Sequence, residues 1–409
     1  MSYTLSYISI FFITAGLIFI GFFGEMFFKK TGFSEYIFLI LIGILFGPIF
    51  KIFPYSIIVQ ILPYLSQLTL AMIMLELGMS FMIDDLLKEG ASAVLRTLIY
   101  VTLSVVLTFI VFRYVFEWGS YSSFFLATVV GGETTTTVVP YLAKSLKEED
   151  FFTNITLEAS LNSVILIVLF TFGLNSFLQS VPFNIYGFEN IVSSLVSQIS
   201  IGIVIGFVAA LVWIEFARHF WAEEFFYIAT IGYTLALYAF LSFINGSAIL
   251  GVLTLGIMLM NNKTFLNFFK TNSSEQIIDL QVNYIKMFQK EITFFLRTYF
   301  FFFIGLVFFI DKLFSILTYI YLGVLLIILL GDRYIAVKLS TKNKKYGKAY
   351  YVMMAQGLTP AVLASLALYY SLPMAHYIVT IASLIIISTN VITVAGWAKI
   401  APSLSQQKQ

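Results

Sequence analysis

The stretch "ATVVGGETTTTVVPYLA", residues 127–143, combines a membrane-like apolar segment with a carboxylate. It lies inside an apolar segment that is long enough to cross a bilayer, yet it contains residues that interrupt helices. Two glycines precede Glu133 and four threonines follow it, and β-branched side chains lower helix propensity. The stretch therefore predicts a membrane helix that is broken near its middle, with a carboxylate beside the break.

The composition of the chain indicates an integral membrane protein. Of its 409 residues, 60% are hydrophobic and 11% are charged, whereas soluble domains carry about 25% charged residues. The absence of cysteine excludes disulfides and thiolate metal sites, and the two histidines are far apart in sequence. No nucleophile with a nearby base is visible. We therefore expect neither an enzyme, nor a cofactor, nor a nucleic-acid partner.

Apolar segments of bilayer length recur along the whole chain. A membrane helix needs about 20 apolar residues, and the sequence offers thirteen such spans. Their approximate limits are 5–27, 35–53, 57–83, 92–116, 120–143, 154–180, 190–217, 222–244, 247–260, 292–311, 313–337, 349–370 and 375–398. The longest connection, about 261–291, predicts an amphipathic helix on the inner surface or a plain connector between two halves.

The distribution of lysine and arginine indicates the orientation. With the N-terminus outside, eighteen basic residues fall on the inner side of the membrane and three on the outer side, and Arg297 and Arg333 fall within spans. Basic residues accumulate on the cytoplasmic side of membrane proteins. We therefore expect a multi-pass protein of the cell membrane with its C-terminus in the cytoplasm.

Ionisable side chains within spans are the main functional signal. Each costs about 2.5–3.5 kcal/mol at the centre of a span, so such residues mark function by default. Glu76 and Asp332 lie near span ends, so contact with the interface is an alternative to a functional role for both. The residues of this class are Glu76, Glu133, Glu158, Arg297, Asp332 and Arg333.

The sixth span adds polar side chains to the carboxylate of the fifth. Glu158 and Asn162 are four residues apart and share one helix face, and Ser163 is the neighbour of Asn162. A buried carboxylate needs a partner, and Arg333 could supply a structural ion pair with Glu158. This spacing leaves open whether Glu158 binds an ion or only holds helices together.

The second half of the chain repeats the interruption. "MMAQGLTPAVLASL" in span twelve carries Gly357, Thr359 and Pro360 within an apolar helix. Spans five and twelve are seven apart, and an odd offset makes matching spans run in opposite directions. Two interrupted helices at matching positions of inverted halves indicate a transporter with a binding site near the bilayer midplane.

Six segments resemble the cation–proton antiporter superfamily, and in particular its archaeal and bacterial sodium/proton exchanger branch. The resemblance runs in order from about residue 5 to 398. The segments are "YIFLILIGILFGP" (36–48), "LAMIMLELGMSFMIDDL" (70–86), "TLEASLN" (156–162), "FFFFIGLVF" (300–308), "GDRYIAV" (331–337) and "GLTPAVLASLAL" (357–368).

The resemblance implies an all-α fold of about thirteen transmembrane helices in two inverted six-helix repeats. Spans five and twelve would be discontinuous and would cross, and the protein would be a homodimer. It also implies a single transporter unit over 1–398, followed by a short cytoplasmic tail at 399–409. Within this unit a core domain would comprise about 92–180 and 313–398, and a dimerisation domain about 1–83 and 190–311.

The resemblance also assigns residues, and it shows two departures. Glu158, Asn162 and Arg333 match the family's Glu, Asn and Arg, of which the Glu and Asn pair with the Arg. The family's ion-binding Asp after that Asn is replaced by Ser163. The Arg that often precedes "GLTP" is Gln356.

The missing Asp suggests that the titrating carboxylate has moved to span five. The family commonly reads Thr-Asp-Pro at the unwound point, where this chain has Glu133, Thr134 and Thr135. We hypothesise that Glu133 binds Na⁺ or a proton in turn, with Thr134, Asn162 and Ser163 as further ligands.

Three alternatives remain open at this point. Glu158 could itself be the carrier acid, with Glu133 only assisting. Loss of the Asp could have changed the substrate to K⁺, an anion or an organic solute. The chain could also be a transport-inactive sensor or scaffold.

Overall fold

A computed structural model describes residues 7–146, 148–181, 185–220, 223, 225–263, 275–341 and 346–406. All regular secondary structure in these ranges is helical. Up to residue 178 the helices are α1 (Tyr7–Thr31), α2 (Glu35–Ile44), α3 (Tyr55–Ser80), α4 (Ile83–Ile110), α5 (Ser120–Val130), α6 (Val138–Lys144) and α7 (Glu149–Leu178). Two helices continue as short π-helical turns, namely α2 through Leu45–Ile49 and α4 through Val111–Val115.

The remaining described residues continue the helical pattern to the end of the chain. The helices are α8 (Ile185–Phe220), α9 (Phe226–Phe243), α10 (Ala248–Met260), α11 (Glu275–Leu306), α12 (Ile310–Leu313), α13 (Ile316–Ser340), α14 (Gly347–Val352), α15 (Leu358–Tyr369) and α16 (Ala375–Gln406).

The all-α membrane fold is confirmed by these helices. Within the described residues, seven helical stretches are long and apolar enough to span a membrane, and four shorter apolar helices accompany them. Each predicted span overlaps one helix or two consecutive helices. The number of thirteen spans stays a prediction.

The connection between the predicted ninth and tenth spans differs from the expected surface helix. Residues 264–274 lie outside the described residues. So do the side chains of Ile277 and Leu280, which belong to the apolar face of the predicted amphipathic helix. From residue 275 onward the chain belongs to α11, which runs without interruption into the tenth span. The helical part of the connection is therefore an extension of that span.

The chain divides into two compact units. The first comprises Met1–Ser66, Leu95–Leu166 and Phe295–Gln409, and the second comprises Gln67–Val94 and Ile167–Phe294. The first unit contains both interrupted helices. The division into a core domain that moves and a dimerisation domain stays a prediction.

Two close helix crossings occur at glycine pairs that correspond under an offset of seven spans. In the first unit a Cβ on Gly43 of α2 would lie 2.8 Å from the Cα of Gly305 in α11. In the second unit a Cβ on Gly78 of α3 would lie 2.9 Å from the Cα of Gly256 in α10. These helices are spans two and ten in one pair and spans three and nine in the other. The correspondence supports an internal repeat, and small residues permit such close contact in membranes.

Gly43→Ala is expected to destabilise the protein by about 1–3 kcal/mol, because the added methyl group meets backbone atoms that cannot move aside. Thermal unfolding of the detergent-solubilised protein measures the effect. Gly323→Ala in α13 is the matched control, because nothing lies within 4 Å of its Cβ position. The control should keep or slightly raise the midpoint, since alanine favours helix. Equal midpoints for the two variants would contradict the expectation.

Candidate ion-binding site

The first interruption lies between α5 and α6. α5 ends at Val130, and the backbone becomes helical again at Val138. Gly131 caps the end of α5, and Gly132 has a φ of +84°, a left-handed conformation that favours glycine. A Cβ on Gly132 would also lie 3.1 Å from the hydroxyl oxygen of Ser104. The helix therefore ends at the two glycines singled out by the sequence.

The second interruption lies slightly before its predicted position. α14 ends at Val352, α15 begins at Leu358, and Gly357 is the last residue between them. Thr359 and Pro360 were expected within the break, but they belong to the first turn of α15. Proline is tolerated there because N–H groups in the first turn have no partner within the helix.

The two interruptions hydrogen-bond to each other. The backbone N–H of Thr135 donates to the carbonyl of Ala355 at 2.7 Å. The side-chain amide of Gln356 donates to the carbonyl of Val130, the last residue of α5, at 2.9 Å. Backbone groups at a helix break have no water to bind within a bilayer. Each interruption therefore supplies polar partners for the other.

The carboxylate of Glu133 lies between these interruptions. The side chain is buried, with 1% of the residue exposed. Its Oε2 atom accepts a hydrogen bond of 2.8 Å from the backbone N–H of Gly357, at the N-terminus of α15. That helix end carries a partial positive charge. Within the described residues, no cationic side chain pairs with the carboxylate.

Asn162 on α7 contacts the first interruption through Thr134. Its side-chain amide donates to the Thr134 hydroxyl, and its Oδ1 atom is buried without a hydrogen bond. Ser163 is also buried, and its hydroxyl donates to the carbonyl of Ala159 on its own helix. The structure thus brings Thr134 to Asn162, while the hydrogen bond accepted by Glu133 comes from the second interruption rather than from α7.

Glu158 is held between two arginines. Its Oε1 atom accepts from Nη1 of Arg333, and its Oε2 atom accepts from Nε of Arg96 at 2.5 Å. All three residues have no exposed surface. The remaining donors of Arg333 bond to the carbonyls of Tyr350 and Met353, each at 2.9 Å. Arg333 therefore ties α7 to the second interruption, whose first residue is Met353.

Arg96 is the residue that sequence reasoning missed, because it was assigned to the inner surface with the other basic residues. The structure places it on α4, where Nη2 donates to Asn154 and the guanidinium lies 3.7 Å from the centre of the Tyr350 ring. The sequence signal for a buried Arg96 was its position several residues inside the predicted fourth span. Its pairing with Glu158 bridges 62 positions of sequence.

The remaining ionisable residues of the spans have different surroundings. Arg297 pairs with the buried Glu35 at 2.9 Å and donates to the hydroxyl of Thr137 at 3.1 Å. Glu76 is half-buried and interacts electrostatically with a lysine of α11. The sequence allowed the side chain of Asp332 to extend to the interface, but only 2% of the residue is exposed.

A family model described as sodium/hydrogen exchanger, transmembrane, matches residues 12–399. The chain belongs to this sodium/hydrogen exchanger family. It is therefore a transporter of the sodium/proton exchanger type, as the resemblance of the six segments implied. The replacement of the family's Asp by Ser163 stays an inference from that resemblance.

The fold of this exchanger family member is similar to that of a sodium proton antiporter of known structure. The sodium proton antiporter MjNhaP1 from Methanocaldococcus jannaschii at pH 8 aligns with a TM-score of 0.75 and 17% identity, covering 96% of this chain and 97% of the other. An electron-microscopy structure of the same antiporter aligns with a TM-score of 0.70 and 18% identity, covering 98% of each chain. At this identity the likeness shows the fold alone. Among curated proteins no sequence matches.

Proposed function

We propose that the chain exchanges a monovalent cation, in the first place Na⁺, for protons by alternating access, and that Glu133 binds the two in turn. The observation that carries this proposal is the buried carboxylate of Glu133 between two interrupted helices, with no cationic side chain among the described residues as its partner. An unpaired charge in such surroundings is costly, so the carboxylate must hold a proton or a cation. It cannot hold both at once, and this competition couples the two fluxes.

The neighbouring groups provide oxygen ligands of the kind that hard monovalent cations prefer. Asn162 Oδ1 is buried and free of hydrogen bonds. Thr134, which directly follows Glu133 in the chain, contributes a hydroxyl that contacts Asn162. Ser163 adds a hydroxyl on the same helix as Asn162. We propose that Glu133, Thr134, Asn162 and Ser163 bind the cation, and that a small side-chain rotation brings the Ser163 hydroxyl to it.

Glu158 is less suited to the role of carrier acid. Both of its oxygens accept hydrogen bonds from arginines, so its charge is already compensated. A carboxylate that exchanges ligands in every cycle would have to leave these partners. We propose instead that Glu158, Arg333 and Arg96 form a permanent network that fixes the helices around Glu133.

We further propose a homodimer in the cell membrane, with the N-terminus outside and the C-terminus in the cytoplasm. The charge distribution supports this orientation. After Arg96 is moved from the inner surface to the protein interior, seventeen basic residues remain on the inner side and three on the outer side. Such a bias is typical of cytoplasmic loops.

Proteoliposomes containing the purified full-length protein test the proposed function. A gradient of NaCl across the membrane is expected to drive proton movement that a pH-sensitive dye in the lumen records. LiCl and KCl gradients report the cation preference, and choline chloride should drive no proton movement because choline is too large for a carboxylate–hydroxyl site.

The alternative functions predict different results in the same assay. Proton movement with KCl but not NaCl would assign K⁺ as the substrate. Solute uptake that depends on the anion, with no response to the cation, would overturn cation exchange. A folded protein that moves protons with none of these salts would identify a transport-inactive homologue.

A further inference from the structure

A further buried carboxylate, that of Asp332 on α13, has no role in the exchange proposed above. Only 2% of the residue is exposed, and its Oδ2 atom is buried and accepts no hydrogen bond. Among the described residues, the hydroxyl of Ser104 on α4 is a polar neighbour of this carboxylate. A carboxylate in this position meets the same cost as Glu133.

Within the part of the chain that the structure describes, no arginine forms an ion pair with Asp332. Its neighbour in sequence, Arg333, uses Nε and Nη2 on backbone carbonyls and Nη1 on Glu158. Arg96 uses its Nε on Glu158 and its Nη2 on Asn154. Both cations of the region are thus committed to Glu158 and to backbone or amide oxygens.

Tyr100 and Ser104 of α4 connect Asp332 to the first interruption. They are four residues apart on one face of the helix. A Cβ on Gly132 would lie 3.1 Å from Ser104 Oγ and 3.2 Å from Tyr100 Cδ1. The Tyr100 hydroxyl is fully buried and unbonded. The Tyr100 hydroxyl interacts electrostatically with both Asp332 and Glu133.

The charges of the region support a shared role for these two acids. Three carboxylates, namely Glu133, Glu158 and Asp332, face two guanidinium groups, so one negative charge is uncompensated when all are ionised. A single proton or monovalent cation neutralises the region. Since Glu158 is paired on both oxygens, this positive charge must be divided between the other two carboxylates.

We propose that Asp332, with the hydroxyls of Ser104 and Tyr100, forms a second binding position for the transported cation or proton beside Glu133. The inference rests on the proposed exchange function. A cation that enters the region has two acid groups to bind, and the proton it displaces leaves from whichever of them was protonated. Ser104 and Tyr100 supply the oxygen atoms that complete this second position.

Asp332→Asn tests the inference in the full-length protein. In proteoliposomes the KM for Na⁺ is expected to rise about tenfold, the order of effect that loss of a supporting carboxylate has on metal affinity. In detergent with choline chloride, the unfolding temperature should rise, because an uncompensated buried charge has been removed. The further rise that NaCl gives the wild type through binding to the native state should shrink. A purely structural Asp332 would instead lower the unfolding temperature upon substitution.

Ser104→Ala keeps the inference falsifiable if Asp332→Asn does not fold. It should raise the KM for Na⁺ about threefold, because a neutral ligand contributes less than a charged one. Thr108→Val is the matched control, since Thr108 is also buried on α4 but lies one turn beyond Ser104. It should leave the KM unchanged.

The outcomes separate this inference from the proposed function. Unchanged KM and unchanged stabilisation by NaCl in Asp332→Asn, or an unchanged KM in Ser104→Ala, would overturn the second position while leaving Glu133 as the carrier. Absence of Na⁺-driven proton movement in the wild type would overturn the exchange function itself, whatever the Asp332 variant does.

Discussion

Glu133→Gln is expected to reduce Na⁺-driven proton movement in proteoliposomes to the level of protein-free vesicles. Glutamine has no titratable proton and no negative charge, so neither a proton nor Na⁺ can be bound in exchange for the other. The fold should survive, because the glutamine oxygen can still accept the hydrogen bond from the N–H of Gly357. Its unfolding free energy should therefore change by about 1 kcal/mol or less.

Glu25→Gln is the matched control for this substitution. Glu25 lies on α1 with its side chain partly exposed, where it pairs with Lys29 one turn away. Surface pairs of this kind contribute little, so exchange and stability should equal those of the wild type. Full Na⁺-driven proton movement in a well-folded Glu133→Gln protein would exclude Glu133 as the carrier.

Glu158→Gln is expected to have the largest effect on stability. Removing this carboxylate leaves the guanidinium groups of Arg96 and Arg333 buried side by side without a counter-charge. Breaking a buried ion pair by removing one partner costs about 3–5 kcal/mol. A strongly lowered unfolding midpoint in detergent, or poor recovery of folded protein from the membrane, is the expected result.

Arg96→Met provides the comparison, because it leaves Glu158 and Arg333 as a simple pair and keeps the volume near that of the arginine stem. Its midpoint should fall less than that of Glu158→Gln. The pair of variants also tests the alternative in which Glu158 is the carrier acid. That alternative expects Glu158→Gln to fold like the wild type and to lose exchange, whereas a permanent network expects the fold itself to suffer.

The sequence was sufficient for the helices and for the two interruptions. Lipid-exposed helices must be apolar over the full width of the bilayer, so hydropathy alone locates them. The glycines at 131 and 132 located the first break because only local backbone chemistry is involved. The second break lies a few residues from Pro360, since proline fits the first turn of a helix as well as it breaks the middle of one.

The sequence was insufficient for the charged partners, because these depend on contacts between distant helices. Arg96 resembles any basic residue near a helix end until Glu158 is placed against it. The sequence likewise allowed Asp332 to be either an interfacial or an internal residue. Gln356, noted only as a departure from the family, donates to the end of α5. Charge at the end of a span thus has two opposite explanations that only tertiary contacts distinguish.

The mutual hydrogen bonds at the two interruptions bear on the evolutionary history of the chain. An ancestor of half this length would have had a single interrupted helix, whose free carbonyl and amide groups would have faced hydrocarbon. If the two halves arose by the duplication that the predicted inverted repeat implies, a second copy in the opposite direction would have supplied partners for these groups. In the present protein, each interruption still obtains hydrogen-bond partners from the other half of the chain.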